Sequence, residues 1–112
     1  GLNAHIEDVA RRVALAGFRV IAPDLLAPQG GTPADEDKAR AMIGTIDYDV
    51  ALAQARAYLA KARGERRGLK TGAVGFCWGG AFVNRLAVAD PLLSAGVSYY
   101  GPAPDPAEAP RL

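Results

Sequence analysis

The sequence predicts an α/β fold built on a parallel sheet. Two observations carry this. Stretches with helical periodicity alternate with short apolar runs bounded by turn residues, the order in which a parallel sheet and its crossover helices are laid down. The apolar runs also lack strict in–out alternation, as strands covered by helices on both faces do. At 112 residues, half of them hydrophobic and 22% charged, the chain holds one domain at most, with about two-thirds of its unfolded surface available for burial.

Ile6, Val9, Ala10 and Val13 recur at i, i+3, i+4 and i+7 and give a helix over 4–16 one apolar face. Asn3 is its N-cap, Glu7 and Asp8 complement the positive end of the dipole, and Gly17 stands where a C′ glycine belongs. Phe18-Arg19-Val20-Ile21-Ala22 is the first predicted strand, stopped by Pro23, and Ala27-Pro28-Gln29-Gly30-Gly31 is loop. Thr32 caps a helix over 33–43, with Pro33 at N1 and Asp35 at N3, fading near Gly44. Tyr48, Leu52, Ala55 and Leu59 share one face of a longer helix over 47–63, which Gly64 ends.

Arg63-Gly64-Glu65-Arg66-Arg67 is most simply a solvated basic loop. Residues 71–76, Thr-Gly-Ala-Val-Gly-Phe, form a buried parallel strand. A helix over 80–89 stops at Asp90-Pro91, and a third strand covers 95–100. Four of the last eleven residues are proline, so they read as an extended tail, a linker or a strand lead-in. The layout is a core over 1–101 and a proline-rich tail over 102–112.

Thirteen basic and twelve acidic residues leave a net charge of +1, which gives no footing for nucleic acid or an anionic membrane surface. One cysteine and one histidine exclude an internal disulfide framework and a zinc site built from those two types. No apolar run approaches the ~20 residues of a membrane span, and no basic-then-apolar leader opens the sequence, so a cytoplasmic setting is the default. The chain starts at Gly1, has its only methionine at Met42, and ends Ala109-Pro110-Arg111-Leu112. A piece of a longer protein explains both ends.

One motif carries chemistry. Gly75-Phe76-Cys77-Trp78-Gly79-Gly80 joins a strand to a helix in the G-x-nucleophile-x-G pattern of a nucleophile elbow, with cysteine where serine is commoner. Such a turn strains the nucleophile's backbone and brings strand and helix close together, so glycines two before and two after it remove side chains that would collide. Cys77 then lies at the carboxyl end of the strand and the start of the helix. The dipole and amides there favour a thiolate, and the Trp78 N–H can donate to an oxyanion. The plainer alternative is a small buried cysteine in a glycine-rich turn.

The stretch Thr71 to Ala81 resembles the elbow of the dienelactone hydrolase (carboxymethylenebutenolidase) family of α/β-hydrolases. Gly1-Leu2-Asn3 with His5 to Arg12, then Ala22-Pro23-Asp24-Leu25, and Tyr99-Tyr100-Gly101 are similar to it as well, in the family's order. The resemblance implies a partial three-layer α/β-hydrolase-like fold with parallel strands near 18–22, 71–76 and 95–100. It also implies a Cys–His–Asp triad that hydrolyses a small lactone or carboxylic ester with no metal or organic cofactor. Only Cys77 of that triad maps onto this chain. In the family the acid and the histidine come after later strands, while an earlier strand brings a glutamate beside the cysteine and the second oxyanion amide. The chain thus resembles the middle of such an enzyme, and little activity is expected of it alone.

Other candidates have simpler readings. His5 reads as an exposed helix-terminal histidine rather than a base, and Asp24 as a loop-capping aspartate at the carboxyl side of the sheet. Arg40 falls near the family's substrate-carboxylate arginine without matching its spacing, and a solvated helix arginine is the simpler account. Tyr99 and Tyr100 alternate faces, so one packs while the other, taken as Tyr100, borders a substrate. A class I glutamine amidotransferase also uses a cysteine elbow, but it typically carries histidine or methionine and then glutamine where this chain has Gly80 and Ala81. A non-catalytic fragment that assembles or binds is the rival from another class. The family's strand preceding Gly1 would lie between those at 18–22 and 71–76. Open edges left there lead to the expectation of a homo-oligomer, with the tail from Pro102 as an exchangeable arm.

Overall fold

In a computed structural model describing residues 1–112, the chain folds as two units, Gly1–Ala51 and Leu52–Leu112. The first opens with helix α1, Ala4–Leu15, because the Asn3 side chain accepts the Ile6 N–H at 3.0 Å. Glu7–Arg11 and Asp8–Arg12 pair one turn apart on its solvent side, each contributing a few tenths of a kcal/mol, roughly. Gly17, at φ 98°, turns the chain out of the helix.

Residues 18–22 form no strand. A strand is held by a neighbour's backbone bonds, and no segment pairs with these residues. A polar knot organises the loop beyond them. Asp24 Oδ1 accepts the Leu26 N–H at 3.0 Å and the Thr32 hydroxyl at 2.7 Å, while Oδ2 accepts the Thr32 N–H at 2.8 Å. The Thr32 Oγ1 in turn accepts the Leu2 N–H at 2.9 Å. The knot closes the loop over fully buried Leu26 and a 3-10 turn at Ala27–Gln29.

Thr32 is therefore not a helix cap, since Asp24 already engages its amide and hydroxyl. Helix α2, Glu36–Ile43, begins later, capped by Asp35 accepting the Lys38 N–H at 2.8 Å. Helix α3, Tyr48–Glu65, is opened by Asp47, whose carboxylate accepts the Asp49 and Val50 amides. It runs through Gly64; the left-handed turn comes at Gly68, φ 78°.

The second unit holds a two-stranded parallel sheet. Strand β1, Thr71–Phe76, pairs with β2, Leu93–Tyr99, from Gly72↔Ala95 to Phe76↔Tyr99, with a slip between Thr71 and Gly72. Helix α4, Trp78–Ala89, makes the crossover and buries Gly80, Phe82, Val83 and Leu86. It packs on the face bearing Gly75, Gly96 and Ser98, and a Cβ on Gly96 would already touch the Val83 methyl at 3.2 Å. On the opposite face Val74, Val97 and Tyr99 are each nearly half exposed. Helix cover on both faces, expected from the apolar runs, is thus observed on one.

The end of the sheet away from the elbow is held by charge. Arg63 donates through Nε and Nη2 to the Thr71 hydroxyl (3.1 and 2.7 Å) and through Nη1 to Asp90 Oδ2 (3.1 Å). The second Asp90 oxygen accepts the Leu92 N–H at 3.0 Å. Arg63 is therefore no solvated loop residue: its side chain is 19% exposed and that of Asp90 4%. The tail is not extended either. It forms a 3-10 turn over Pro106–Arg111, opened by Asp105, and Asn84 on α4 donates to the Pro102 carbonyl at 2.7 Å. No helix is long and apolar enough to cross a membrane.

Both polar anchors have measurable consequences for stability. Arg63→Ala strands a buried carboxylate and is expected to cost about 3–5 kcal/mol in urea unfolding. Asp24 is subject to opposing influences: burial pushes its carboxyl up, while the Thr32 hydroxyl and the Thr32 and Leu26 amides together outweigh it and hold the group below its usual 3.8. A depressed carboxyl stabilises the fold above its unfolded value and loses that contribution as pH falls through the folded one. Asp24→Asn should therefore lower stability near neutral pH by about 1–3 kcal/mol. The difference from the parent should shrink as the solution is acidified below about pH 4, measured by thermal unfolding across pH.

Candidate active site

Strand β1 gives way to α4 through a single residue. Cys77 is the N-cap of the helix at φ 53° and ψ −114°, in the left-handed half of the map where a side chain costs on the order of 1–3 kcal/mol. Its surroundings hold it there. The Cys77 N–H donates to the Tyr99 carbonyl at 2.7 Å, and its own carbonyl accepts the Ala81 N–H at 3.1 Å. The thiol is exposed, at the carboxyl end of the strand and beside the first amides of the helix.

The glycines explain the close crossing, though not as the spacing alone suggests. A Cβ on Gly75 would fall onto the Gly79 carbonyl group, so the position two before the cysteine must be bare. A Cβ on Gly79 would meet nothing within 4 Å; that residue contributes its carbonyl at the crossing, not a missing side chain. The second steric requirement sits one residue later. A Cβ on Gly80 would lie 2.8 Å from both the Ser98 Oγ and the Tyr99 carbonyl oxygen.

The end of β2 forms the other half of the corner. A Cβ on Gly101 would strike the backbone of Gly80 and Ala81. Tyr100 precedes it at φ 59°, the one residue besides Cys77 and the glycines with positive φ, and its side chain projects with the residue 88% exposed. Tyr99 stacks on Phe76 with ring centroids 4.9 Å apart. Trp78 stacks on Phe82 at 5.4 Å, which leaves its backbone N–H, at the first helical position, as its contribution to the elbow. Sequence reasoning misses Ser98 and Gly101 as members of this corner. A glycine directly after a strand end is the signal for the second; nothing local marks the first.

The structure thus gathers Gly75, Cys77, Trp78, Gly79, Gly80 and Tyr100 at one corner of the second unit. The remaining candidates belong to the first. His5 is exposed in the first turn of α1, and Asp24 is committed to its loop. Arg40 lies on α2 with its side chain 75% exposed and pairs with Asp37 at 2.9 Å. No three His, Cys, Asp or Glu side chains gather as a metal site would require. An exposed thiol on the residue that caps a helix N-terminus can attack a carbonyl whose developing oxyanion the first helical amides receive.

The chain is similar to known proteins along its length. The profile of the dienelactone hydrolase family matches residues 1–112. A "Putative carboxymethylenebutenolidase" of Methylorubrum extorquens is 34% identical over 111 residues, covering 90% of this chain and 36% of that protein. One of the same description from Synechocystis is 32% identical over 116 residues, covering 90% and 44%. A protein described as a hydrolase fragment in Escherichia coli is 53% identical over 47 residues, 42% of this chain and 40% of that one. The chain therefore spans less than half the length of the Methylorubrum and Synechocystis relatives.

The two elbow glycines flanking Cys77 should respond oppositely to the same change. Gly75→Ala forces backbone apart and is expected to cost at least about 4 kcal/mol, enough to blur or abolish cooperative unfolding. Gly79→Ala meets open space on a helix and should leave stability unchanged or raise it by up to about 1 kcal/mol. Denaturant titrations followed by circular dichroism check both.

Proposed function

The chain belongs to the dienelactone hydrolase family, and on that premise we propose that it carries the nucleophile of a hydrolase acting on a small lactone or carboxylic ester. The observation that supports this most is Cys77: an exposed thiol on a positive-φ residue, between a parallel strand and the helix that succeeds it. In this reading the Cys77 sulfur attacks the acyl carbon and a C–S bond forms. The Trp78 N–H helps hold the oxyanion, and the ester C–O bond breaks to give a thioester and an alcohol or enol. Water then attacks the thioester, releasing the carboxylic acid and returning the thiol.

A histidine and an aspartate outside these 112 residues move the protons. Tyr100 at the mouth of the corner, and more weakly Arg40, contact the substrate. The setting is cytoplasmic, and no nucleic acid or cofactor takes part. The open sheet face at Val74, Val97 and Tyr99 favours self-association. A homo-oligomer would show as a light-scattering mass above the intact mass, and a monodisperse monomer would refute it.

A non-catalytic fragment that assembles or binds is the second reading, favoured by the exposed placement of the chain's one histidine on α1. Assay with p-nitrophenyl acetate separates the two. Acetylation of Cys77, seen by intact mass and lost in Cys77→Ala, is the expected result for the nucleophile. Multiple turnover should be slight, because losing triad partners costs several powers of ten in rate, roughly. Absence of the adduct in the folded chain would overturn the nucleophile reading. Robust Cys77-dependent turnover would overturn the claim that the chain alone is incompetent.

A further inference from the structure

The hydroxyl of Ser98 is the one buried side-chain polar atom without a hydrogen-bond partner. Burying a hydroxyl unsatisfied costs free energy, and such a group in a folded protein asks for an explanation. Its position offers one. Ser98 lies on the face of β2 that α4 covers, opposite Gly75 in the parallel register. Its Oγ sits 2.8 Å from where a Gly80 Cβ would be, and 2.6 Å from where a Gly101 Cβ would be. It therefore fills the space that both glycines leave, between the first turn of α4 and the chain leaving β2.

We propose that Ser98 is a positioning residue for Cys77, its Oγ acting as a spacer that sets the distance of the α4 N-terminus from the end of β2. This rests on the reading of Cys77 as the nucleophile. The link to the thiol is short. Gly80 is three residues past Cys77 on the same helical turn, and the carbonyl of Tyr99, next to Ser98, holds the Cys77 amide at 2.7 Å. A shift of that turn moves the sulfur relative to the amides that would receive an oxyanion, and positive φ at Cys77 leaves little slack to absorb it. An apolar residue of the same size would avoid the unsatisfied hydroxyl, so stability alone does not favour serine here. The oxygen's contribution is its place between two backbone segments.

The test is the second-order rate of Cys77 alkylation by iodoacetamide from mildly acid to mildly alkaline pH, beside thermal unfolding, for the whole chain and for Ser98→Ala and Ser98→Thr. Ser98→Ala removes an unsatisfied hydroxyl and should fold, with its unfolding temperature unchanged or slightly raised. The proposal expects its alkylation to fall about threefold or more with an altered pH profile, and Ser98→Thr, which keeps the oxygen, to restore the parent rate. A parent rate and profile in Ser98→Ala overturn it, whatever the unfolding temperature does. So does an equal loss in both variants, since the oxygen is then not what matters. The underlying reading fails separately, if the parent chain reacts no faster than a cysteine peptide.

Discussion

The constraint on which the second unit depends is the contact of backbone with backbone where β1 crosses the start of α4. Gly75 passes so near the Gly79 carbonyl that no side chain fits between them. With strand and helix that close, one residue must reverse the chain, and Cys77 does so at φ 53°. A polar residue at the tip of such a turn faces outward, which is why the thiol is exposed while its neighbours on both sides are packed. The strained conformation is sustained because the Cys77 amide and carbonyl are both bonded, to Tyr99 and Ala81. Strain of a few kcal/mol, roughly, persists only where such surroundings over-determine it.

The same crossing governs β2. Once α4 is pressed to the sheet at its N-terminus, the chain leaving β2 must slip past the helix backbone, and Gly101 is bare for that reason. Tyr100 takes up the turn with a second left-handed conformation. At the far end the spacing relaxes and charge replaces close packing. Arg63 spans Thr71 at the start of β1 and Asp90 at the end of α4, so both ends of the strand–helix–strand unit are tied. One tie is steric and tolerates no added atom. The other is electrostatic, and its desolvated carboxylate is tolerable only while the guanidinium stays.

The first unit is organised differently. Its helices α1 and α2 bury no residue completely, and its loop is organised by the Asp24 knot, in which one carboxylate receives three hydrogen bonds. Charge-assisted bonds of this kind define a loop without a large core. The exposed Phe18 and Ile21 mark a segment with strand composition and no strand partner.

Much was legible in the sequence because it depended on neighbours along the chain. The helices of 4–16 and 47–63, the strands at 71–76 and 95–100, and the elbow around Cys77 are written in periodicity, capping residues and a five-residue glycine frame. These act over distances of a turn or less. What the sequence could not determine was whatever needed a partner far along the chain. Residues 18–22 have the composition of a strand, but a strand exists only where another segment supplies hydrogen bonds. Thr32 has the chemistry of a cap, but Asp24, eight residues back, claims its hydroxyl. Arg63 reads as a loop cation until Asp90, 27 residues on, closes the pair. Ser98 reads as any strand serine until Gly80 and Gly101 arrive on either side of its oxygen. Local spacing determined most of the elements and where the exposed cysteine stands. Only the tertiary structure decided which polar groups meet, because those meetings depend on chain segments that no short window contains.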